Sequence, residues 1–226
     1  MKKVINVPAS LSLMPLRDYQ ALIKIITDNK DDETLMQKLI VQHYTRYSFD
    51  EVNLMKAEDF NTIVTNVINC LNEKPGHTMV FQHKGKGFGF IPKLDDISTG
   101  EYIDLDSYLN DVQSWHYAMA VLYRPVTKVK KYGWFQKKTM AYAIEEYETS
   151  TKYSDVMQDM PASIAVGASL FFWTLNKQLL TASLTCIQKE LKKVKAPSQK
   201  ENLQKILDGI HQFMQQQEDS SSSSIL

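Results

Sequence analysis

The chain has only two cysteines, Cys70 and Cys186, among its 226 residues. Two are too few for a disulfide framework, which points to folding in a reducing cytoplasm. Net charge is missing as well, since Lys+Arg and Asp+Glu both total 26. Overall charge therefore gives no reason to expect a nucleic-acid partner. Long apolar runs are also scarce. The longest, Pro161 to Leu175, ends after about fifteen residues at Asn176-Lys177-Gln178. A helix needs ~20 apolar residues to cross a bilayer, so this run reads as a buried helix and no membrane span is expected. The opening Met1-Lys-Lys-Val-Ile-Asn-Val-Pro is interrupted by Asn6, Pro8 and Ser10 and does not read as a signal peptide.

Residue patterns that carry chemistry are equally hard to find. His43, His77, His83, His116 and His211 contain no i, i+4 pair, and neither cysteine belongs to a Cys-x-x-Cys knuckle. No metal site is expected from such spacing. His77 and His83 flank a short strand and are expected to face solvent, whereas His116, beside Trp115, reads as the polar edge of a core contact. There is no Gly-x-Ser-x-Gly elbow, and Cys186 lies on a helical stripe, where a small buried thiol is the ordinary reading. Gly85, Gly87 and Gly89 lack the Lys-Ser/Thr of a phosphate-binding loop. The carboxylate pairs Asp95-Asp96 and Asp104/Asp106 read as caps for a helix starting at Leu105. We expect no catalytic residue and no cofactor, hence a binding or assembly protein rather than an enzyme.

Apolar content of 43%, with 10% aromatic residues, is enough for real cores. The first 75 residues read as helices. Leu16, Tyr19, Leu22, Ile23 and Ile26 follow Pro15 at helical spacing, and Leu35, Leu39 and Ile40 mark a second helix. Ser48-Phe-Asp-Glu51 has the capping-box pattern of a short third helix. Phe60, Val64, Val67, Ile68 and Leu71 make a fourth. Thr78–His83 and Phe88–Ile91 flank Lys84-Gly-Lys-Gly87 and predict a glycine-turned hairpin. Tyr108, Val112, Trp115, Met119 and Leu122 form one stripe, which predicts a single helix from Leu105 to Tyr123, ended before Pro125. Val126–Val129 and Thr139–Ile144 can pair around Tyr132-Gly133.

The second half is dominated by an expected helix at 162–195, apolar on two faces at its start. Small residues there, Gly167 and Ala168 among them, allow close helix approach. Phe171, Phe172 and Trp173 are its candidate interaction residues. Pro197-Ser-Gln-Lys-Glu201 reads as a second capping box, opening a last amphipathic helix. Glu218–Leu226, with five serines, reads as a mobile tail. The expected fold class is mainly α with small β-hairpins. It is organised as a helical domain at 1–75, a hairpin-plus-helix domain at 76–217 and the tail at 218–226.

Two features invite a functional reading of the middle. Gly85-Lys-Gly-Phe-Gly-Phe-Ile91 resembles the aromatic RNA-binding strand of cold-shock and RNA-recognition domains, with Phe88 and Phe90 stacking on bases and Lys86 meeting phosphate. Long helices on both sides do not fit either of those folds, and glycines also let a hairpin lie close under a helix. Charge is segregated. Asp95, Asp96, Glu101, Asp104, Asp106 and Asp111 crowd residues 94–111, and Arg124, Lys128, Lys130, Lys131, Lys137 and Lys138 crowd 124–138. These runs read either as faces that attract each other within the fold or as a polar surface that orients partners.

Tyr44-Thr-Arg-Tyr-Ser-Phe-Asp-Glu-Val, with Leu54 and Ala57-Glu-Asp-Phe60 leading to Ile63–Leu71, resembles tail-assembly chaperones and baseplate-associated proteins of tailed bacteriophages. The block from Phe90-Ile-Pro-x-Leu-Asp-x-Ile97 through Gly100-Glu-Tyr-Ile-Asp-Leu105, Leu122-Tyr-Arg-Pro125, Glu145-x-Tyr147 and Met160-Pro161 to Gly167-Ala168 and Phe171-Phe172-Trp173 is similar to virion-associated proteins of phages infecting Bacteroidetes, including the crAss-like group. The resemblance spans about residues 15–180. It implies a non-enzymatic protein of tail or virion assembly, with other phage structural proteins or copies of itself as partners. It also implies a location in the host cytoplasm during assembly or in the particle, with a neck ring or internal cargo protein as the structural alternative.

Overall fold

A computed structural model describes residues 7–130, 141–194 and 197–224. The chain is mainly helical with one small antiparallel sheet, and it divides into two compact units, 1–168 and 169–226.

The first unit opens with four helices: α1 (Leu16–Asp28), α2 (Glu33–Thr45), α3 (Phe49–Asn53) and α4 (Ala57–Leu71). Pro15 is the N-cap of α1 rather than its first helical residue. The capping box forms at Ser48 and Glu51 as its spacing predicts, and Asp32 caps α2 through the Leu35 amide. Val41, Val52, Ile63 and Val64 make the buried contact of α2, α3 and α4, with Tyr47, Met55 and Phe60 packed around them.

The sheet follows, in order β1 (Val80–His83), β2 (Lys86–Phe90), β3 (Tyr123–Lys130) and β4 (Ala141–Ile144). The first turn is tighter than the four residues expected. Lys84 and Gly85 alone make it, both with positive φ (47° and 76°), the geometry of a primed hairpin turn. β3 pairs with β2 through Tyr123–Pro125 and with β4 through Val126–Lys130, with a bulge between Val126 and Lys128. The proposed second hairpin therefore exists as a strand pair, while its expected turn at Tyr132-Gly133 lies outside the described residues.

The single helix expected from Leu105 to Tyr123 is instead two, α5 (Thr99–Leu109) and α6 (Trp115–Leu122), separated by a short 3-10 turn at Val112–Ser114. Asp111 causes the break. Its carboxylate accepts from the Gln113 amide, a backbone donor that a continuous helix would have used, and also from the Ser114 hydroxyl. The caps were also misplaced: α5 begins at a full capping box of Ser98 and Glu101, not at Asp104 or Asp106. α6 is buried almost all round, and the chain passes from Leu122 straight into β3.

After α7 (Ser154–Gln158) comes α8 (Ala162–Lys193), close to the expected bounds. Its first amides are satisfied by the N-terminal loop, Ala162 donating to the Met14 carbonyl and Ser163 to the Leu11 carbonyl; Leu16 donates back to Met160. Gly167 is needed for packing, since a Cβ there would lie 2.5 Å from the Gly76 carbonyl oxygen. These contacts join residues on both sides of position 75, so the boundary expected there is not one between compact units.

The second unit contains the rest of α8 and α9 (Pro197–Ser224). Pro197 is the first helical residue, which puts Ser198 inside the helix instead of at its N-cap. Nor is the serine-rich end a tail up to Ser224. Adding a residue to an existing helix brings a hydrogen bond, and serine is only modestly worse than alanine there.

Candidate functional site

Phe88 and Phe90 point to the buried face of the sheet, 1% and 2% exposed. Phe81, on the paired strand, stacks on Phe88 at 5.7 Å between ring centroids, and Tyr123 meets Phe81 and Phe90 edge-on at 5.2 Å. Base stacking needs a ring face open to solvent, so these rings cannot serve it, although Lys86 remains exposed. Phe88 and Phe90 are core residues of the sheet, not an open stacking platform. The glycines serve the opposite face: a Cβ on Gly89 would come within 2.5 Å of the Tyr142 ring. That tyrosine donates its hydroxyl proton to the Phe90 carbonyl at 2.8 Å.

One polar cluster lies where the segregated charges meet. Successive β3 side chains alternate faces, so Arg124 points away from Tyr123. It reaches Glu101 on α5 at 2.6 Å, both side chains under a tenth exposed. The other oxygen of Glu101 accepts from the Ser98 amide and hydroxyl, each at 2.7 Å. Tyr147 lies 5.6 Å from the Arg124 guanidinium and donates its hydroxyl to Asp104. Burial, with Asp104 adding to it, pushes that phenol up to about 12. At this point the acidic and basic runs attract within one fold. The cluster holds α5, β3 and the 145–150 segment together, although the buried Arg124 Nε has no hydrogen-bond partner among the described residues. Sequence reading missed the pair. The available signal was the Ser98-to-Glu101 spacing, hidden behind four nearby aspartates.

A second junction centres on Asp159. Arg17 of α1 contacts it at 2.6 Å, and Lys84 of the β1–β2 turn forms the other ion pair. The Lys84 hydrogen bond, followed by the charges of Arg17 and Lys84, holds the carboxyl below its ordinary range.

The expectation that His77 and His83 face solvent fails. His77 stands edge-on to Phe90 at 4.3 Å, and burial lowers its pKa. His83 Nε2 donates to the Val156 carbonyl at 3.2 Å. His116 does sit at a polar edge, 3.2 Å from the Gln20 amide, whose nitrogen also donates to Val112 and Gln113 carbonyls. Among the described residues no group of three or more His, Cys, Asp or Glu is placed to hold a metal ion.

An open groove of about 410 Å³ lies between α1 and α2, lined by Ile25, Leu39, Gln42, His43, Arg46 and Tyr47. Arg46 closes α2 in the left-handed conformation, φ 59°. Burial lowers the His43 pKa, opposed by the nearby Asp18 carboxylate and reinforced by the Arg46 charge. The groove is large enough for a small ligand but is shallow, and no sequence pattern marked it.

Of the candidate interaction residues, Phe171, Phe172 and Trp173 are all half-buried, with the two phenyl rings edge-on at 5.8 Å. α8 is buried at successive positions from Ile164 to Ser169, and its exposure rises from Leu170 onwards. Cys186, expected to be a buried thiol, is exposed; Cys70 is the buried one, its thiol against the Pro8 carbonyl at 3.1 Å.

No helix among the described residues is long and apolar enough to cross a membrane. No protein-family model, curated protein or solved structure matches the chain.

Proposed function

We propose that the chain is a non-enzymatic assembly protein of tailed bacteriophages, acting through protein–protein contacts while the tail or virion is built. The observation that carries this reading is the half-buried aromatic triplet Phe171-Phe172-Trp173 on α8, where a stretch begins whose described apolar side chains are mostly part-exposed. Aromatic side chains combine large contact area with low ordering cost, which suits them to interfaces. The resemblance of residues 15–180 to tail-assembly and virion-associated proteins supplies the biological setting.

The test is quantitative mass spectrometry of assembly intermediates and purified particles from a phage encoding this chain. An assembly factor is found with tail or capsid intermediates and is depleted from finished particles. Many copies per mature particle would make it a structural component instead. Absence from both fractions would overturn the reading.

A further inference from the structure

The second unit buries very little by itself. Among its described apolar side chains only Leu184 and Leu207 are buried. On α8, Leu180, Ile187, Leu191 and Val194 fall in line with Leu184 at alternating spacings of four and three, and all four are only half-buried. That is the repeat of a coiled-coil seam. On α9, Leu203 and Ile210 flank Leu207 in the same rhythm and are also half-buried. Ile206 continues the apolar surface on the flank of α9 and is 52% exposed.

Such a helix pair orders more than fifty residues with little dry core among its described side chains, and ordering costs about 1–2 kcal/mol of backbone entropy per residue. Helix pairs with this deficit are completed by a second pair, giving a four-helix bundle with a shared interior.

The charges indicate which pair fits. Residues 189–205, around the α8–α9 connection, hold Lys189, Lys192, Lys193, Lys195, Lys200 and Lys205 against Glu190 and Glu201. Residues 206–226 hold Asp208, Glu218 and Asp219 and no lysine or arginine. One end of the unit is basic; the sequence at the opposite end, with Glu218 and Asp219 on α9 against Lys177 on α8, has a small acidic excess. Two copies side by side in the same direction would place basic end on basic end. Two copies head to tail place each basic end against the other's acidic end.

We infer that α8 and α9 form a homodimer interface: a second copy of this chain packs head to tail on the Leu203–Ile206–Ile210 flank and completes a four-helix bundle. The inference is independent of the phage reading and holds whatever process the protein serves.

Sedimentation equilibrium of the full chain from about 1 to 100 µM tests it, in the range of ordinary reversible dimers. The expected result is a monomer–dimer equilibrium that Ile206→Glu weakens by at least about tenfold while helix content by circular dichroism is kept. Should Ile206→Glu lose helix, the double reversal Lys192→Glu/Lys193→Glu changes only exposed side chains and is expected to weaken the dimer likewise. Spin labels at Lys193→Cys in a Cys186→Ser background then read the direction. At 1.5 Å per helical residue, head-to-tail copies place the labels roughly 25–35 Å apart and parallel copies under about 20 Å. A chain monomeric throughout the range overturns the inference, and so does a dimer indifferent to both sets of substitutions. A short label distance overturns the head-to-tail arrangement.

Discussion

Arg124 and Glu101 meet at 2.6 Å with side chains 8% and 7% exposed, a charge pair taken almost wholly out of water. Removing one member leaves the other charged and buried, which typically costs 3–5 kcal/mol, whereas replacing both by apolar groups of similar volume is often neutral. Arg124→Met is therefore expected to lower unfolding stability by about 3–5 kcal/mol in urea. Glu101→Leu in the same chain is expected to recover most of that loss. Equal losses in single and double variants would show that packing, not charge pairing, sets the cost.

The sheet aromatics give a simpler contrast. Phe88→Ala removes a ring that is 1% exposed and should cost about 3–5 kcal/mol. Lys86→Ala, two residues earlier on the same strand but exposed, should stay within about 0.5 kcal/mol of the parent. Urea midpoints of the two variants measure both. A stable Phe88→Ala protein would contradict the burial of this ring.

Two glycines should respond in opposite directions to alanine. At Gly167 the new methyl would sit 2.5 Å from a backbone oxygen, so α8 must shift and thermal stability should fall. At Gly209, inside α9, a Cβ meets no described atom within 4 Å, and the substitution should stabilise the helix by roughly 0.5–1 kcal/mol. A thermal melt of each variant checks the signs.

Acid should weaken the fold in two steps. Burial is the leading cause that lowers the pKa of His43, His77 and His116 from the usual 6.5. The unfolded chain then binds protons more readily than the folded one. The histidine contribution is complete above 6.5, declines as pH drops below it, and levels off once the folded-state values are passed. Asp159 and Glu145, both lowered from their ordinary values of 3.8 and 4.5 by lysine partners, add stability that is lost in a further, more acidic step. Melting temperatures from pH 7.5 to 3 should show both limbs, and His77→Leu should flatten only the upper one.

How much of this was legible in the sequence depended on whether the controlling interaction was local. The Ser48–Glu51 box needs residues only three apart, and it forms as read. The Tyr108–Leu122 stripe had equally good periodicity, yet Asp111 interrupts it, because an apolar stripe does not say whether the backbone along it is continuous. Phe88 and Phe90 alternate with glycine in a pattern that suits both an RNA-binding strand and a core strand. Only Phe81, Tyr123 and Tyr142, brought in from other strands, distinguish the two. Glu101 and Arg124 are twenty-three positions apart, and no spacing rule links them. The α1–α2 groove was invisible for the same reason: Ile25 and Tyr47 meet only after the helices pack.

The pairing of Met14–Pro15–Leu16 with Met160–Pro161–Ala162 has a consequence for biosynthesis. A ribosome releases the N-terminal helices long before residue 160 leaves the exit tunnel. Until then the Leu11 and Met14 carbonyls lack the amides that finally meet them. Closing a loop of this length is slow but adds little entropy cost beyond that of a shorter one. The first unit therefore completes itself only near the end of its own translation. A nascent chain stopped before residue 168 should remain open to proteases along α1, even with α2 to α4 already folded.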